Sequence, residues 1–411
     1  MKKTLLATAL ITGFAGTVHA NGSVTLYGLL DGGLAYESSK LTQGNNLNKK
    51  SDFGMQKFNG VRNGNRWGLR GSEDLGNGTK AIFQLESGFD LGNGKSLQGG
   101  RLFGRQAYFG VSSDSWGSLT LGRQHTIAVD TVGTKGPFNV GYLQAGQLFG
   151  AFGASTFARM DNSVKYWSPN LSGFKFGLGY AGNLTKSEYE LDGADKVTTK
   201  NNSNWITAGG SYTNGSLAIG VSYDRFRSNV KAPAKSGPPA VPAVDYKGTV
   251  HMWNLFGTYD FEVVKLDLGY GQVRGAIGNK DGANVKMEAS STGLNGRFSE
   301  FTQGMRTDGL LYNQTNGYRQ QAWTVGLTVP VGDSGKVLAS YQGSATKNKD
   351  AGFDGAKANL SIFSLGYEHN LSKRTIIYAV ASIANGSMKF DSDPKGKLKS
   401  KLVGVGMQHR F

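Results

Sequence analysis

The side chains of this sequence that could do chemistry are mainly arginines and lysines. The 411-residue chain has 45 Lys and Arg residues against 29 Asp and Glu residues, a formal net charge of +16, so it should attract anions. It has no cysteine, which excludes disulfide bonds, thiolate metal ligands and cysteine nucleophiles. His125, His251 and His369 are too far apart in the sequence to form a metal-ligand motif. These residue types favour electrostatic binding over covalent or metal chemistry.

Two arginines four residues apart, Arg66 and Arg70, show how position could give this charge a function. In a strand, successive side chains point to opposite faces, so Trp67 and Leu69 share one face and the two arginines share the other. An arginine that faces lipid near the middle of a membrane costs about 2–4 kcal/mol. If this strand crosses a membrane, we expect both arginines to line water.

The elements that must position such residues are strands. Beyond residue 20, apolar residues recur at every second position rather than with the helical period. In the segment 322–330, four apolar residues alternate with small or polar ones, the apolar set being Trp323, Val325, Leu327 and Val329. One apolar face and one polar or glycine face fit either a sheet over an internal core or a barrel with lipid outside and water inside.

Connection lengths alternate along the chain, which favours the barrel. Short turns are predicted at 76–78, 114–117, 169–173, 213–216, 261–263, 332–335 and 371–374. Long polar stretches lie between them, near 39–63, 92–100, 124–160, 184–202, 229–245, 276–316, 348–358 and 387–397. Short turns on one rim and long loops on the other are typical of outer-membrane barrels.

Sixteen strands are predicted in this way. They lie near 23–38, 65–75, 79–91, 101–113, 117–126, 161–168, 173–183, 203–213, 216–228, 246–261, 263–275, 317–331, 335–347, 359–371, 375–386 and 398–411. An even number returns both termini to the periplasmic side, and about sixteen strands leave a water-filled lumen. The sequence therefore predicts an all-β fold, a 16-stranded antiparallel transmembrane β-barrel formed by one domain, residues 21–411.

Residues 1–20 have the pattern of a secretory signal peptide. Lys2 and Lys3 form a basic start, an apolar run spans 5–15, and Val18 and Ala20 are the small residues of a cleavage site. We predict cleavage after Ala20, which leaves a net charge of +14. Beyond this segment no apolar stretch approaches the roughly 18–20 residues that a membrane-spanning helix needs.

The last predicted strand ends in an aromatic residue, Phe411, which shares a face with Met407 and Val405. Four further blocks stand out, SVTLYG at 23–28, RWGLRGSEDLG at 66–76, RQAYFG at 105–110 and LTLGRQ at 119–124. Together these features resemble the Gram-negative general porins of the betaproteobacterial branch, along the whole mature chain. The resemblance implies an outer-membrane channel for the passive diffusion of small hydrophilic solutes and ions. It also implies a homotrimer, contact with outer-membrane lipid and lipopolysaccharide, and a role for Phe411 as the signal read by the barrel assembly machinery.

In that family the third long loop folds into the barrel and narrows it against a ladder of arginines. The resemblance assigns the loop to 124–160 and the ladder to Arg66, Arg70, Arg105, Arg123 and Arg159. Family loops usually carry several carboxylates, whereas here the only acidic residue between Arg123 and Arg159 is Asp130. Because rings of charge set the selectivity of a pore, we expect this constriction to favour small anions.

The arginines also have a simpler interpretation. Each could be a solvated surface charge or the partner of a nearby carboxylate, with Glu73, Glu86 and Asp161 as the candidates.

Three other function classes compete with a general channel. A channel specific for an organic acid or a sugar stays open, because Tyr142, Phe149 and Phe152 of the inserted loop could form an aromatic track. An outer-membrane enzyme would need a nucleophile with a histidine and an orienting partner, and no such motif appears, so we predict no enzyme activity and no cofactor. A nucleic-acid binder would explain the charge but not the amphipathic strands, so we predict no nucleic-acid partner.

Overall fold

The computed structural model describes residues 22–43, 46–54, 60–146, 152, 159–189, 197–232, 244–275, 316–349, 356–389 and 395–411. Nearly all regular structure in these ranges is strand. None of the helical turns within them is long and apolar enough to cross a lipid bilayer. The predicted signal peptide and Phe149 of the predicted aromatic track lie outside the described residues.

The strands form one antiparallel sheet that closes on itself. They are β1 (Ser23–Gln43), β2 (Asn46–Gly54), β3 (Arg66–Gly76), β4 (Thr79–Gly88), β5 (Gln106–Ser113), β6 (Gly117–His125), β7 (Arg159–Trp167), β8 (Phe174–Tyr189), β9 (Val197–Asn214), β10 (Leu217–Ala232), β11 (Val244–Asp260), β12 (Lys265–Gly275), β13 (Tyr318–Val331), β14 (Gly335–Asn348), β15 (Lys357–Asn370), β16 (Thr375–Lys389) and β17 (Gly396–Arg410). Each strand from β3 to β17 pairs with its neighbour in the chain, and β17 pairs with β1.

Strands β2 and β3 together make a single barrel strand. The outer half of β1 pairs with β2, from Gln43↔Asn46 to Ala35↔Gly54. The inner half of β1 pairs with β3, from Leu29↔Arg66 to Ser23↔Ser72. Counted around the wall, the barrel therefore has sixteen strands, and the predicted fold is confirmed.

The two faces of the strands separate as the period of two predicts. Along β13, Val325 and Leu327 are exposed on the outer surface, whereas Ala322 and Thr324 are buried on the inner one. The same outward pattern of large apolar side chains continues through β15, with Phe363, Leu365 and Tyr367. The outer wall is thus apolar and fits a lipid environment.

All seven short turns lie where the sequence predicts them, but the long-loop ends of several strands reach further than predicted. The ladder between β8 and β9 continues to Tyr189↔Val197, and that between β10 and β11 to Ala232↔Val244. These extensions lack the apolar alternation on which the prediction rested, because a hairpin in water can keep its backbone hydrogen bonds without an apolar face. The predicted strands 79–91 and 101–113 are shorter instead, since β4 ends at Gly88 and β5 begins at Gln106.

The barrel closes at a seam where the last residue meets the first strand. The backbone N–H of Gly28 donates to the Phe411 carbonyl (3.0 Å), and the Phe411 N–H donates to the Gly28 carbonyl (3.2 Å). The Phe411 ring covers Gly28 so closely that a Cβ at this glycine would lie less than 3.0 Å from the ring atoms. The terminal residue therefore completes the ladder as well as the apolar outer face.

Deletion of Phe411 should lower the yield of assembled barrel. It removes two hydrogen bonds of the seam and uncovers Gly28, and backbone groups left unpaired in lipid are costly. We expect a smaller heat-modifiable fraction in the outer membrane on a denaturing gel, with Phe411→Tyr close to the wild type because it keeps the backbone and the ring. Equal heat-modifiable fractions for the deletion and for Phe411→Tyr would show that the terminal residue is dispensable.

Candidate pore constriction

A segment that follows β6 lies inside the barrel. It contains a π-helical turn, Val129–Gly133, and a short 3₁₀ turn, Leu143–Ala145. Its apolar side chains have almost no exposure to solvent, among them Ile127, Val132 and Phe138. Since inner faces of large barrels are otherwise polar and wet, this burial means that the segment packs against the wall.

Glycines on the inner wall make room for this segment. A Cβ atom at any of them would lie less than 3.0 Å from a loop atom, in the pairs Gly209–Ile127, Gly220–Thr131, Gly326–Pro137 and Gly366–Phe138. These glycines belong to β9, β10, β13 and β15, so the segment follows the inner surface over a large part of the circumference. The inserted third loop narrows the lumen by occupying this space.

A buried arginine that precedes β3 holds the far end of the inserted loop. Arg62 donates from Nε to the Tyr142 hydroxyl (2.8 Å) and to Glu368 Oε1 (2.9 Å), and from Nη1 to Gln408 Oε1 (2.8 Å). The Tyr142 hydroxyl in turn donates to Glu368. Burial raises the pKa of Tyr142 despite the opposing effect of Arg62, so its hydroxyl remains a donor. The network ties the loop to β15 and β17.

A second carboxylate extends the network along β1. Asp31 accepts hydrogen bonds from the Arg62 backbone N–H (3.3 Å), the Tyr378 hydroxyl (2.6 Å) and Gln408 Nε2 (3.0 Å). Its own backbone N–H donates to Asn65 Oδ1 (2.6 Å). A buried carboxylate is tolerated only when it is paired in this way, so Asp31 fixes the short segment that carries Arg62.

Sequence analysis missed this network, although part of its signal is visible. Asp31 lies at an inward position between the outward Leu34 and Leu26, just as Arg66 and Arg70 lie between apolar neighbours. Its partners cannot be found in this way, because Arg62 and Glu368 are 306 residues apart in the chain.

Three of the predicted arginines lie on the inner face near the start of the barrel. Arg66 is opposite Leu29 of β1 in the register, and the Arg70 guanidinium lies 5.3 Å above the Tyr27 ring. Arg105 is ion-paired from Nε to Glu86 Oε1 (2.6 Å).

The same group is joined by hydrogen bonds and by charge. The Tyr27 hydroxyl donates to Glu86 Oε2 (3.0 Å), and Arg66 interacts electrostatically with both Arg105 and Glu86. Cationic groups thus outnumber the carboxylate in this part of the inner wall.

Arg159 and Asp130 meet where the inserted loop begins. Arg159 opens β7 opposite His125 in the register, and Asp130 of the loop contacts Lys165 Nζ (2.9 Å) and His125 Nδ1 (3.5 Å). Burial opposes the charge of Asp130, but the hydrogen bond with His125 and the charge of Lys165 outweigh it and lower the pKa of Asp130 to about 2. The single carboxylate of the described loop is therefore ionised at physiological pH and is already matched by Lys165.

Arg123 lies on the other face. It is opposite Ala107 in the register, and the row continues through Leu85 and Leu69, which belong to the outer surface. There Arg123 is ion-paired with Asp161 (2.5 Å), which also binds Arg101 (2.9 Å). The inner face that holds Arg66 and Arg70 therefore does not include Arg123.

The simpler interpretation of the arginines holds for part of the set. Two of the three candidate carboxylates are in ion pairs, Glu86 with Arg105 on the inside and Asp161 with Arg123 on the outside.

Comparisons with known proteins agree with this architecture. A model of the Gram-negative porin family matches residues 7–387. The chain belongs to this family. It is 41% identical to an outer membrane porin protein of Bordetella pertussis over 420 residues, which covers 100% of both chains. The porin is thus an outer-membrane, multi-pass channel for the diffusion of small hydrophilic solutes and ions.

Two solved structures share the porin fold. An anion-selective porin from Comamonas acidovorans matches with a TM-score of 0.60 and 22% identity, covering 95% of this chain and 100% of the other. The trimer form of OmpT from Vibrio cholerae matches with a TM-score of 0.55 and 14% identity, covering 95% and 99%. At this level of identity both comparisons bear on the fold alone.

Substitution of Arg62 should loosen the inserted loop of the porin. Arg62→Ala leaves Glu368, which is 2% exposed, without its buried cation, and removal of one partner of a buried ion pair costs about 3–5 kcal/mol. We expect a higher and noisier single-channel conductance and a lower temperature of heat modification.

A matched control is available at the other partner of Glu368. The Lys336 side chain is 39% exposed, so Lys336→Ala should cost only about 0–1 kcal/mol and leave conductance close to the wild type. Wild-type conductance and heat stability in Arg62→Ala would mean that the network does not hold the loop.

Proposed function

We propose that this porin is a general diffusion channel whose constriction prefers anions over cations. The observation that carries the proposal is the charge balance around the inserted loop. The cationic side chains there are Arg66, Arg70, Arg105, Arg159 and Lys165, whereas the carboxylates are Glu86 and Asp130. The solved relative from Comamonas acidovorans is described as anion-selective, which supports the same assignment.

The size of the effect can be estimated from electrostatics. In a narrow pore the effective dielectric constant is below that of water, and a unit charge about 4 Å away changes the energy of an ion by about 1–4 kcal/mol. At about 0.1 M salt the Debye length is about 10 Å, so screening weakens the preference without abolishing it. An excess of cationic groups at the inner wall is therefore sufficient for a measurable selectivity.

The reversal potential in a KCl gradient tests the proposal. The double substitution Arg66→Gln and Arg105→Gln should shift it toward cation preference, and more strongly at low salt than at high salt. The charge-conserving pair Arg66→Lys and Arg105→Lys should stay near the wild type, which separates charge from packing. Arg123→Gln should leave the potential unchanged, because Arg123 lies in the outer row.

Two results would refute anion preference. One is a wild-type channel that already prefers potassium. The other is an unchanged reversal potential in the double glutamine variant when that variant conducts.

The channel specific for an organic acid or a sugar has less support. Tyr142 and Phe152 are each at most 2% exposed, and Phe152 packs against Phe256 with ring centroids 5.9 Å apart. Buried rings that anchor a loop cannot present their faces to a solute in the lumen. We favour passive diffusion, without enzyme activity, after export by the signal segment 1–20 and assembly that depends on Phe411.

We also propose that the porin is a homotrimer. The outer row through Leu69, Leu85 and Ala107 ends in Arg123, and the ion pairs of Arg123 and Arg101 with Asp161 lie on the same wall. Lipid tails solvate such charges poorly, and a second copy of the chain would cover them. A solved relative, OmpT of Vibrio cholerae, is described in a trimer form.

The substitution Asp161→Lys tests this interface. It replaces the shared partner of two arginines by a third cation, so it should reduce the trimer fraction measured by native mass spectrometry in detergent. Leu365→Ala on the outer face of β15 is the control and should leave the oligomer unchanged. A full trimer fraction in Asp161→Lys would place the interface elsewhere.

A further inference from the structure

Seven neighbouring strands, β10 to β16, each place a basic residue at the same level of the register. The successive cross-strand pairs are Arg225↔His251, His251↔Arg274, Arg274↔Arg319, Arg319↔Lys347, Lys347↔Lys357 and Lys357↔Lys389. We call these seven residues the basic row. Residues directly opposite one another in a sheet share a face, with Cβ atoms about 4.5–5.5 Å apart.

The basic row lies on the outer surface of the barrel. Along β10 and β11 the next outward residues are Tyr223 and Trp253, which are 40% and 37% exposed. The intervening Asp224 and Met252 are buried on the inside. By the period of two, Arg225 and His251 therefore face away from the lumen.

Aromatic side chains mark where the row stands relative to the membrane. Trp253 contacts Tyr270 with ring centroids 5.4 Å apart, and Tyr270 is opposite Trp323 in the register. Such aromatic bands lie at the membrane–water interface of outer-membrane barrels. Arg225 and His251 are two residues further along their strands toward the long loops, a distance of about 7 Å, which is the level of lipid headgroups.

The rest of the row rises away from the membrane. Barrel strands are tilted by about 35–45°, so a row that runs across them climbs from β10 toward β16. Lys347, Lys357 and Lys389 thus stand further out than Arg225, and all three are exposed. The row follows an inclined path outward from the headgroup level.

The row is not neutralised by the protein. Like charges directly opposite one another destabilise a sheet, yet within the described residues no member of the row is ion-paired with a carboxylate. Its printed hydrogen bonds go to neutral groups, as in Arg274 to Gln272 Oε1 (3.0 Å) and Arg319 to the Asn316 carbonyl (2.7 Å). The charges therefore call for anions supplied from outside.

A cleft of about 410 Å³ opens at the lower end of the row. Its lining includes Arg225, Arg227, Lys247, Thr249, His251 and Asn316. Guanidinium and ammonium groups beside a hydroxyl and an amide are the donors that phosphate groups prefer. No carboxylate contributes to the lining.

We propose that the basic row and its cleft bind the phosphate groups of a phosphorylated glycolipid of the outer leaflet, the lipopolysaccharide class. The site is outside the lumen and beside the aromatic band, so a lipid headgroup reaches it directly, whereas a permeating anion does not need to pass it. The inference rests on the outer-membrane location of the porin and is independent of the anion preference of its constriction.

Lipid binding can be measured on the assembled porin with defined membranes. Wild type and the triple variant Arg225→Gln, Arg274→Gln and Arg319→Gln are compared for binding to bicelles that contain lipopolysaccharide, dephosphorylated lipopolysaccharide or phosphatidylcholine alone. We expect the triple variant to lose at least tenfold in affinity for the phosphorylated bicelles and little for the other two. The reversal potential should stay at the wild-type value, so failure here is distinguishable from failure of the selectivity proposal.

The matched control removes three basic residues at the short-turn end of the barrel, Lys175→Gln, Lys265→Gln and Arg374→Gln. It should bind phosphorylated bicelles like the wild type. If the triple variant does not assemble by heat modification, Arg274→Gln alone is tested, since the one hydrogen bond printed for its side chain goes to the neighbouring Gln272.

Three results would overturn the proposal. Equal affinity of the assembled row variant and the wild type for phosphorylated lipid removes the basis of the site. Equal binding of phosphorylated and dephosphorylated lipopolysaccharide by the wild type shows that phosphate is not recognised. Complete displacement of the lipid by millimolar inorganic phosphate assigns the row to soluble anions instead.

Discussion

Inside a bilayer the backbone has no water to pair with, so every N–H and C=O group of a spanning strand needs a partner on a neighbouring strand. A sheet meets this requirement only by closing on itself, which here happens between β1 and β17. The contact of Phe411 with Gly28 is the last piece of that closure. With the backbone fixed in this way, the period of two leaves each residue only two environments, the outer wall or the inside.

The inside of the barrel is shaped by what the wall leaves out as much as by what it carries. Gly209, Gly326 and Gly366 provide the space along which the inserted loop lies, since any side chain there would collide with it. Arg62 then holds the loop through Tyr142 and Glu368. The constriction is thus a product of small residues that admit the loop and a buried charge that anchors it.

Local period explains which parts of this structure the sequence could predict. The strands, the short turns and the inward position of Arg66 and Arg70 all follow from alternation within one segment. The path of the loop does not, because it depends on contacts such as Arg62 with Glu368, whose positions in the chain are unrelated by any local pattern. The extended hairpins beyond the membrane were also missed, since their strands lack an apolar face.

Arg123 shows how a family resemblance can compete with local pattern. Leu119 and Leu121 are exposed on the outer wall, so alternation alone puts Arg123 with them and not with Arg66. The resemblance assigned it to the ladder because the surrounding LTLGRQ block matches the family, but a matching block fixes a residue's place in the strand order and not its face.

The same alternation divides the positive charge of the chain between two surfaces. On the inside, Arg66 and Arg105 stand near a loop with one described carboxylate, where they act on ions in transit. On the outside, Arg225 and Arg274 stand in an unneutralised row above the aromatic band, where ions in transit do not pass. Net charge therefore says little about selectivity in a barrel of this kind. A one-residue shift in the register would exchange the two sets, so the pairing of the strands, and not the composition, decides which charges face the pore and which face the lipid.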